Sequence, residues 1–293
     1  MKFISDILKG MVIGLANIIP GVSGGTMMVS MGIYDTLIHC ITHLFKQFKK
    51  SILTLLPFAI GMLTALVLLS KVITWALSDS FASLPTNTLF IGLILGGLPA
   101  IFKQLKGQPK KQFTIGGVLF VLAFALIIFM AFIKEPQDTG ATITLSVLEM
   151  LKLVVMGCIA SATMVIPGVS GSMMLMLMGY YYPVVGAIGN LVSAIAALDG
   201  TLILYNIGIL LPFGIGVIIG IFGISKVIEI LLAKWKCATY CAILGLVIAS
   251  PIGILMGLSI DGFNLTQVIV SVVTFVVGFA AAWALTKMEK QEA

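Results

Sequence analysis

Arginine is absent from this sequence, and all 17 of its basic residues are lysines. Charged residues make up only 10% of the 293 positions, and the net charge is +6. The lysines are scattered through the chain and form no basic domain. A nucleic-acid partner is therefore not expected, because such binding needs a concentrated positive patch.

Metal ligands are also scarce. The four cysteines have no zinc-ribbon spacing, and Cys237 and Cys241 lie one helical turn apart, as small apolar packing residues on one face would. His39 and His43, the only histidines, are likewise one turn apart, but the sequence offers no evident third ligand. The sequence therefore predicts no metal site and no cofactor.

What the chain has in abundance is apolar surface. Hydrophobic residues make up 60% of it, and the mean hydropathy is +1.18. A soluble domain of this size cannot hide so much apolar surface, whereas a bilayer removes that problem. The N-terminal stretch has no small-residue cleavage site, so we expect it to stay in the mature protein. The composition predicts an all-α integral membrane protein.

An internal repeat organises the chain. Residues 19–34 read IPGVSGGTMMVSMGIY, and residues 166–181 read IPGVSGSMMLMLMGYY. A second match pairs LLPFAIGMLTALVLLSKVI at 55–73 with LLPFGIGVIIGIFGISKVI at 210–228. Two motifs at matching spacing indicate that the chain consists of two related parts.

A third, weaker match pairs IGLILGGLPAIF with AILGLVIASPIGIL. The sequence therefore predicts two halves, residues 1–140 and 141–293, with one order of elements.

The segments around each Pro-Gly motif are short. Only about half of the roughly 20 residues that a helix needs to cross the hydrocarbon lie between Lys9 and Pro20. We therefore predict re-entrant helical hairpins at 4–33 and 146–181. The amphipathic piece from Tyr34 to Lys50 is predicted to lie along the interface.

Three spans are predicted in each half: about 52–77, 87–102, 113–133, 203–232, 238–258 and 267–286. Three is an odd number, so the second half should be inverted relative to the first. With both termini in the cytoplasm, the positive-inside rule is obeyed. The predicted cytoplasmic lysines are Lys46, Lys49, Lys50, Lys103, Lys106, Lys110, Lys111, Lys234, Lys236, Lys287 and Lys290. The alternative, in which each motif arm spans fully, places most loops identically.

The repeated motif has the chemistry of a phosphate cradle. Non-helical backbone at membrane depth is tolerated where it lines a cavity or meets a ligand, and paired breaks mark the site in repeat-built transporters. Each break precedes a helix N-terminus that favours an anion, and the serines add hydroxyl donors. The expected phosphate-binding residues are Asn17, Gly21, Val22, Ser23, Gly24, Gly25, Thr26, Gly168, Val169, Ser170, Gly171 and Ser172. The alternative is that the motif only lets two half-helices pack closely.

Three charged residues are candidates for charge pairing or coupling. Lys71 and Lys226 occupy matching positions in the repeat, where they either serve the site or extend towards the interface. Glu229, one turn after Lys226, is a ready ion-pair partner. Asp35 could carry a coupling proton or act as a plain surface or cap residue.

The segments ANIIPGVSGGTMMVSMGIYDTLI, LLPFAIGMLTALVLLSKVI, TLFIGLILGGLPAIF and MVIPGVSGSMMLMLMGYYYPVV resemble the polyprenyl-phosphate transporter family. The resemblance implies a bacterial plasma-membrane protein that returns undecaprenyl phosphate from the outer to the inner leaflet for reuse in envelope polymer synthesis. Members of that family often carry an acidic residue where Asn17 stands and a Glu where Tyr182 stands. A proton-coupling mechanism that uses carboxylates at these two positions would lack them in this chain.

Two other functions fit the sequence less well. A membrane polyprenyl-diphosphate phosphatase would need clustered carboxylates, Arg or a metal site, which the sequence does not offer. A small-anion transporter would share the cradle but need an aqueous path. The chain is therefore predicted not to be an enzyme. Its oligomeric state, monomer or homodimer, is left open.

Overall fold

The computed structural model describes residues 2–18, 22–133, 143–258 and 264–292, and within these ranges every regular element is helical. The helices are α1 (Lys2–Ile18), α2 (Gly24–Ser30), α3 (Tyr34–Thr42), α4 (Phe48–Ser78), α5 (Ser83–Gly96), α6 (Leu98–Leu105), α7 (Lys110–Phe132), α8 (Val147–Val165), α9 (Gly171–Leu177), α10 (Tyr181–Ala197), α11 (Gly200–Lys234), α12 (Lys236–Met256) and α13 (Leu265–Glu292). Pro20 and Gly21 of the first motif lie outside the described residues.

Seven helices in the described part of the chain are long and apolar enough to cross a bilayer. Six of them coincide with the predicted spans: α4, α5 together with α6, α7, α11, α12 and α13. The all-helical, multi-pass membrane class that the composition predicts is therefore confirmed.

The seventh such helix, α8, is the arm that precedes the second motif. It has 19 residues, about 28 Å at 1.5 Å per residue, which is close to the thickness of the hydrocarbon. Length alone therefore does not separate a re-entrant arm from a full crossing in the second half. The re-entrant hairpins and the inverted orientation of the halves stay predictions.

The segment that follows each motif differs between the halves. In the first half, α3 ends at Thr42 and α4 already begins at Phe48, so Lys49 and Lys50 belong to a long helix and not to the piece predicted along the interface. In the second half, α10 runs for 17 residues and meets α9 at a bend of 109°.

Glycines join the first and fourth helices of the repeat in the same way in both halves. Gly61 of α4 lies against the carbonyl oxygen of Ile7 in α1, where a methyl group would overlap that oxygen. Gly216 of α11 lies in the same way against the carbonyl oxygen of Val154 in α8. In the aligned repeats, Gly216 corresponds to Gly61 and Val154 to Ile7. The sequence repeat is therefore also a repeat of packing.

The later helices of each half pack against helices of the other half. Helix α5 packs along α13, and α12 packs along α7, so each pair joins one helix from each half. Small residues allow the close approach: Gly92 of α5 lies against the carbonyl of Phe275, and Gly245 of α12 lies against that of Phe120. Most of α12 is buried. Its outer partner α7 exposes most of its large apolar side chains, which suits contact with lipid.

The chain forms two compact units, and their limits differ from those of the two halves of the sequence repeat. One unit contains Met1–Ile133, Ile166–Val169 and Lys226–Ala293, and the other contains Lys134–Val165 and Ser170–Ser225. The corner of the second motif thus belongs to the first unit, together with the whole first motif. The predicted boundary between the halves, near residue 140, lies outside the described residues.

We expect Gly216→Ala to destabilise the protein, because the added methyl group overlaps the Val154 carbonyl and must push α8 and α11 apart. Overpacking of this kind costs about 1–3 kcal/mol. The measurement is the thermal unfolding midpoint of the purified protein in detergent.

The matched control is Gly214→Ala in the same helix. A methyl group there meets nothing within 4 Å, and Ala59 already stands at the equivalent position of α4. This variant should unfold at the wild-type temperature or slightly above it, since Ala favours helix over Gly by about 1 kcal/mol. Equal midpoints for the two variants would contradict the described α8–α11 contact.

Candidate functional site

The described part of the first motif leads into the buried helix α2. Ser23 is the residue before α2, in extended conformation with φ −107° and ψ 131°. Its side chain and that of Thr26 are buried, as are Gly24 and Gly25. Val22 and Ser23 precede the first turn of α2, whose leading N–H groups have no partner within the helix.

Hydroxyl groups of the first motif pair with main-chain groups of the second motif, more than 140 residues away. The Ser23 hydroxyl donates to the carbonyl oxygen of Ile166 at 3.3 Å, and the backbone N–H of Gly168 donates to the Thr26 hydroxyl oxygen at 2.6 Å. The two Pro-Gly motifs therefore meet inside one compact unit. We call the contact formed by Ser23, Thr26, Ile166 and Gly168 the motif junction.

Gly168 needs glycine for two reasons. Its φ is +82°, a left-handed conformation that costs other residues free energy. Leu246 of α12 also lies where a Cβ would be. The central helix α12 therefore braces the corner of the second motif.

The far end of α2 is fixed to α5. The Ser30 hydroxyl donates to the Ile94 carbonyl at 3.3 Å, and Gly97 closely approaches Ser30. Both ends of this seven-residue helix thus contact neighbouring backbone, and these contacts fix the direction in which its N-terminus points.

Asn17 and its counterpart give the two motifs different surroundings. Asn17 of α1 lies against Gly24, with its Oδ1 atom 2.6 Å from where a Cβ would stand. At the equivalent position of the second half, Met164 lies against Gly171. The first motif therefore has an amide beside its glycines, and the second has a thioether.

Ser170 differs from Ser23 in its role. The Ser170 hydroxyl caps α9 by accepting from the Met173 N–H at 3.5 Å and shares a hydrogen bond with the Ser172 hydroxyl at 2.9 Å. Ser170, Gly171 and Ser172 belong to the second unit. Part of the polarity of the second motif thus serves local structure.

The candidates for charge pairing have structural partners. Lys226 Nζ lies 2.6 Å from Glu229 Oε2, which confirms the predicted pair one turn apart. Asp35 is in the first turn of α3 and accepts a hydrogen bond of 2.7 Å from the Tyr240 hydroxyl of α12. Burial, and secondarily the Asp35 charge, raises the pKa of Tyr34 far above its usual value. The side chain of Lys71 lies outside the described residues.

One buried charge has no predicted role. The Lys9 side chain is fully buried in α1, with its Nζ atom 3.7 Å from Asp6 Oδ1. The repeat offers no counterpart, since Leu153 and Met156 stand at the equivalent positions. A lysine and an aspartate three residues apart in an apolar arm are the sequence signal that could have identified this pair.

A cavity of about 430 Å³ lies between α5 and α13. Its lining is apolar apart from Thr88 and Ser271, and it contains no residue of either motif. A phosphate group would find few donors there, so we do not place the polar chemistry of the chain in this cavity.

Comparison with known proteins gives consistent results. A model of the undecaprenyl phosphate translocase-like family matches residues 13–264. The chain is 34% identical over 286 residues to the polyprenyl-phosphate transporter of Staphylococcus aureus, covering 97% of this chain and 96% of that protein. It is 29% identical over 264 residues to the polyprenyl-phosphate transporter of Vibrio cholerae, covering 85% of this chain and 77% of that protein. No solved structure matches the chain.

We expect Thr26→Val to destabilise the protein, because valine has the shape of threonine but leaves the buried Gly168 N–H without its acceptor. An unsatisfied buried donor costs about 1–3 kcal/mol. Thr26→Ser keeps the acceptor oxygen and should retain most of the stability. The measurement is again thermal unfolding in detergent.

Thr64→Val is the control for this substitution. The Thr64 hydroxyl is exposed on α4 and donates only to Ile60, four residues earlier in its own helix. Its loss should leave the unfolding midpoint nearly unchanged. A Thr26→Val variant as stable as Thr64→Val would show that the motif junction contributes little.

Proposed function

The chain belongs to the undecaprenyl phosphate translocase-like family, and on this premise we propose that it moves polyprenyl phosphate across the bacterial plasma membrane. The proposed substrate is undecaprenyl phosphate, moved from the outer to the inner leaflet and reused in cell-envelope polymer synthesis. In this proposal the N- and C-termini are cytoplasmic. The family resemblance carried by the motifs is thereby confirmed, and both relatives are named as transporters, in agreement with the prediction that the chain is not an enzyme.

The observation that carries the proposal is the motif junction. Two hydroxyl groups and two main-chain groups meet there, and the side chains of Ser23 and Thr26 are buried. Phosphate oxygens accept hydrogen bonds from the same donors, hydroxyl and backbone N–H groups. We propose that the head group binds at this junction, with Asn17 and the residues Val22–Thr26 on one side and Gly168 and Val169 on the other.

Binding would change the junction itself. A phosphate oxygen would replace the Ile166 carbonyl as the acceptor of the Ser23 hydroxyl proton. The Thr26 hydroxyl, which accepts from Gly168, still carries a proton that it can donate to the phosphate. The head group would thus weaken one of the two bonds that join the motifs. In this proposal, loosening of the junction couples binding to movement.

The energetics favour a fixed polar site over an aqueous channel for this substrate. A charged head group in hydrocarbon is costly, and hydrogen-bond donors at fixed positions replace part of its hydration. The prenyl tail needs no site of its own, because it is as apolar as the lipid around it. A mechanism in which only the head group enters the protein is therefore sufficient.

The second motif contributes less directly in this scheme. Ser170 would have to exchange its bond with Ser172 for one with the phosphate, and the participation of Ser170, Gly171 and Ser172 stays a prediction. Lys226 is held by Glu229, so we do not assign it to the head group. Lys71 and Asp35 remain candidates for coupling.

We predict that Ser23→Ala combined with Ser170→Ala lowers the rate of transport at least about tenfold, since a charged acceptor loses one hydroxyl donor in each motif and each such hydrogen bond is worth about 1.5–3 kcal/mol. The assay uses proteoliposomes that contain undecaprenyl phosphate. A membrane-impermeant reagent that binds the phosphate head group reports how fast inner-leaflet lipid becomes accessible.

Ser193→Ala is the matched control, because the exposed Ser193 hydroxyl bonds only within α10. Thermal unfolding of all variants separates a damaged site from a damaged fold. A folded double variant that transports at the wild-type rate would overturn the proposed site.

The direction of transport is tested in cells. Removal of this protein, in a strain without redundant transporters, should raise the amount of undecaprenyl phosphate exposed on the outer surface, because the carrier is delivered there and not returned. Surface labelling of intact cells measures the amount of exposed undecaprenyl phosphate. Unchanged exposure would refute inward transport of this lipid but leave the phosphate site open.

A further inference from the structure

The two histidines of the chain meet a carboxylate from the other end of the sequence. His39 and His43 lie on the same face of α3 and its C-terminus, with their rings stacked at a centroid distance of 4.1 Å. Glu229, near the end of α11, places its Oε1 atom beside both rings. The sequence alone showed two ligands, and the fold supplies a third.

The distances among these atoms suit a tetrahedral metal site. Glu229 Oε1 lies 3.4 Å from His39 Nδ1 and 3.2 Å from His43 Nδ1. Ligand atoms about 2.0–2.1 Å from a zinc ion in tetrahedral geometry are separated from one another by about 3.3 Å. One ligand atom from each residue lies within 4.8 Å of the other two. An ion there would replace the contacts of His43 Nδ1 with the Thr42 hydroxyl and the His39 carbonyl oxygen, which lie 3.1 and 3.2 Å away.

The surroundings orient the carboxylate for this role. The Lys226 ammonium holds the second carboxylate oxygen, Oε2, at 2.6 Å, and the Thr42 hydroxyl donates to Oε1 at 3.0 Å. Such partners fix the direction of ligands in metal sites. Two of the three ligand side chains are half-buried, and His39 is exposed, so the site is open to an ion from solvent.

We propose that His39, His43 and Glu229 bind a zinc ion, with a water molecule as the fourth ligand. Two imidazoles and one carboxylate are a ligand set that zinc takes in proteins. The ion ties α3, which follows the first motif, to the end of α11. This site is separate from the motif junction and does not rest on the proposed substrate.

The first test is cobalt binding to the full-length protein, purified in detergent with its affinity tag removed. Cobalt(II) in a tetrahedral nitrogen and oxygen site gives intense visible absorption, and titration of that absorption gives an affinity. We expect one ion per chain, displaced by zinc. Substitutions His39→Ala, His43→Ala and Glu229→Gln should each weaken binding at least tenfold.

Glu149→Gln is the matched control. Glu149 is also paired with a lysine three residues later, Lys152, at 2.6 Å, but has no histidine beside it. This variant should bind cobalt like the wild type. Equal loss in all four variants, or no loss in any ligand variant, would overturn the proposed site.

A second measurement identifies the ligands directly. X-ray absorption at the zinc edge of the wild-type protein should show imidazole scattering, which can come only from these residues because the chain has no other histidine. Zinc should also raise the unfolding temperature of the wild type and leave that of His43→Ala unchanged. A zinc shell without imidazole would rule out the site, and hydrogen bonds alone would then join α3 to α11.

Discussion

Interrupted helices in an apolar medium have to satisfy the main-chain groups that the interruption exposes, and this requirement shapes the molecule. Two hydrogen bonds help to meet this requirement by joining the two motifs. The Gly168 N–H donates to the Thr26 hydroxyl, and the Ser23 hydroxyl donates to the Ile166 carbonyl. Helix α12 then braces Gly168, and α5 holds the far end of α2. The same donors and acceptors that stabilise the protein are the ones that a phosphate would use. In the proposed mechanism, stability and binding compete for one set of atoms.

This competition distinguishes the two motifs, although their sequences are nearly the same. Ser23 donates across to the other motif and does not cap its own helix, whereas Ser170 caps α9 and shares a proton with Ser172. Asn17 beside the first motif is replaced by Met164 beside the second. The repeat suggests two equivalent motifs, but their surroundings differ, and the first motif is the more polar one.

The sequence predicted the elements well because each long apolar run can satisfy its backbone in a membrane only as a helix. The six predicted spans coincide with described helices, and the repeat reappears in the contacts of Gly61 and Gly216. In each case the signal lay in residues close together in sequence or in an exact repetition.

The partners of the helices could not be predicted in this way. Periodicity does not reveal that α5 packs on α13, since every apolar helix face looks alike. Glu229 was expected to pair with Lys226, but its approach to Thr42, 187 residues away, depends on the complete fold. The hairpin prediction rested on the short stretch between Lys9 and Pro20, and with its 19 residues α8 gives the second half no equally short arm.

The exchange of helices between the halves has a consequence for how such a chain can change over time. Because α5 packs against α13 and α7 packs against α12, the later helices of each half pack against helices of the other half. A bulkier residue at Gly92 has to be answered by a change near Phe275, in the opposite half. The two halves can therefore accumulate independent substitutions in their loops and beside their motifs. Substitutions in the buried helix contacts of one half require compensating substitutions in the other.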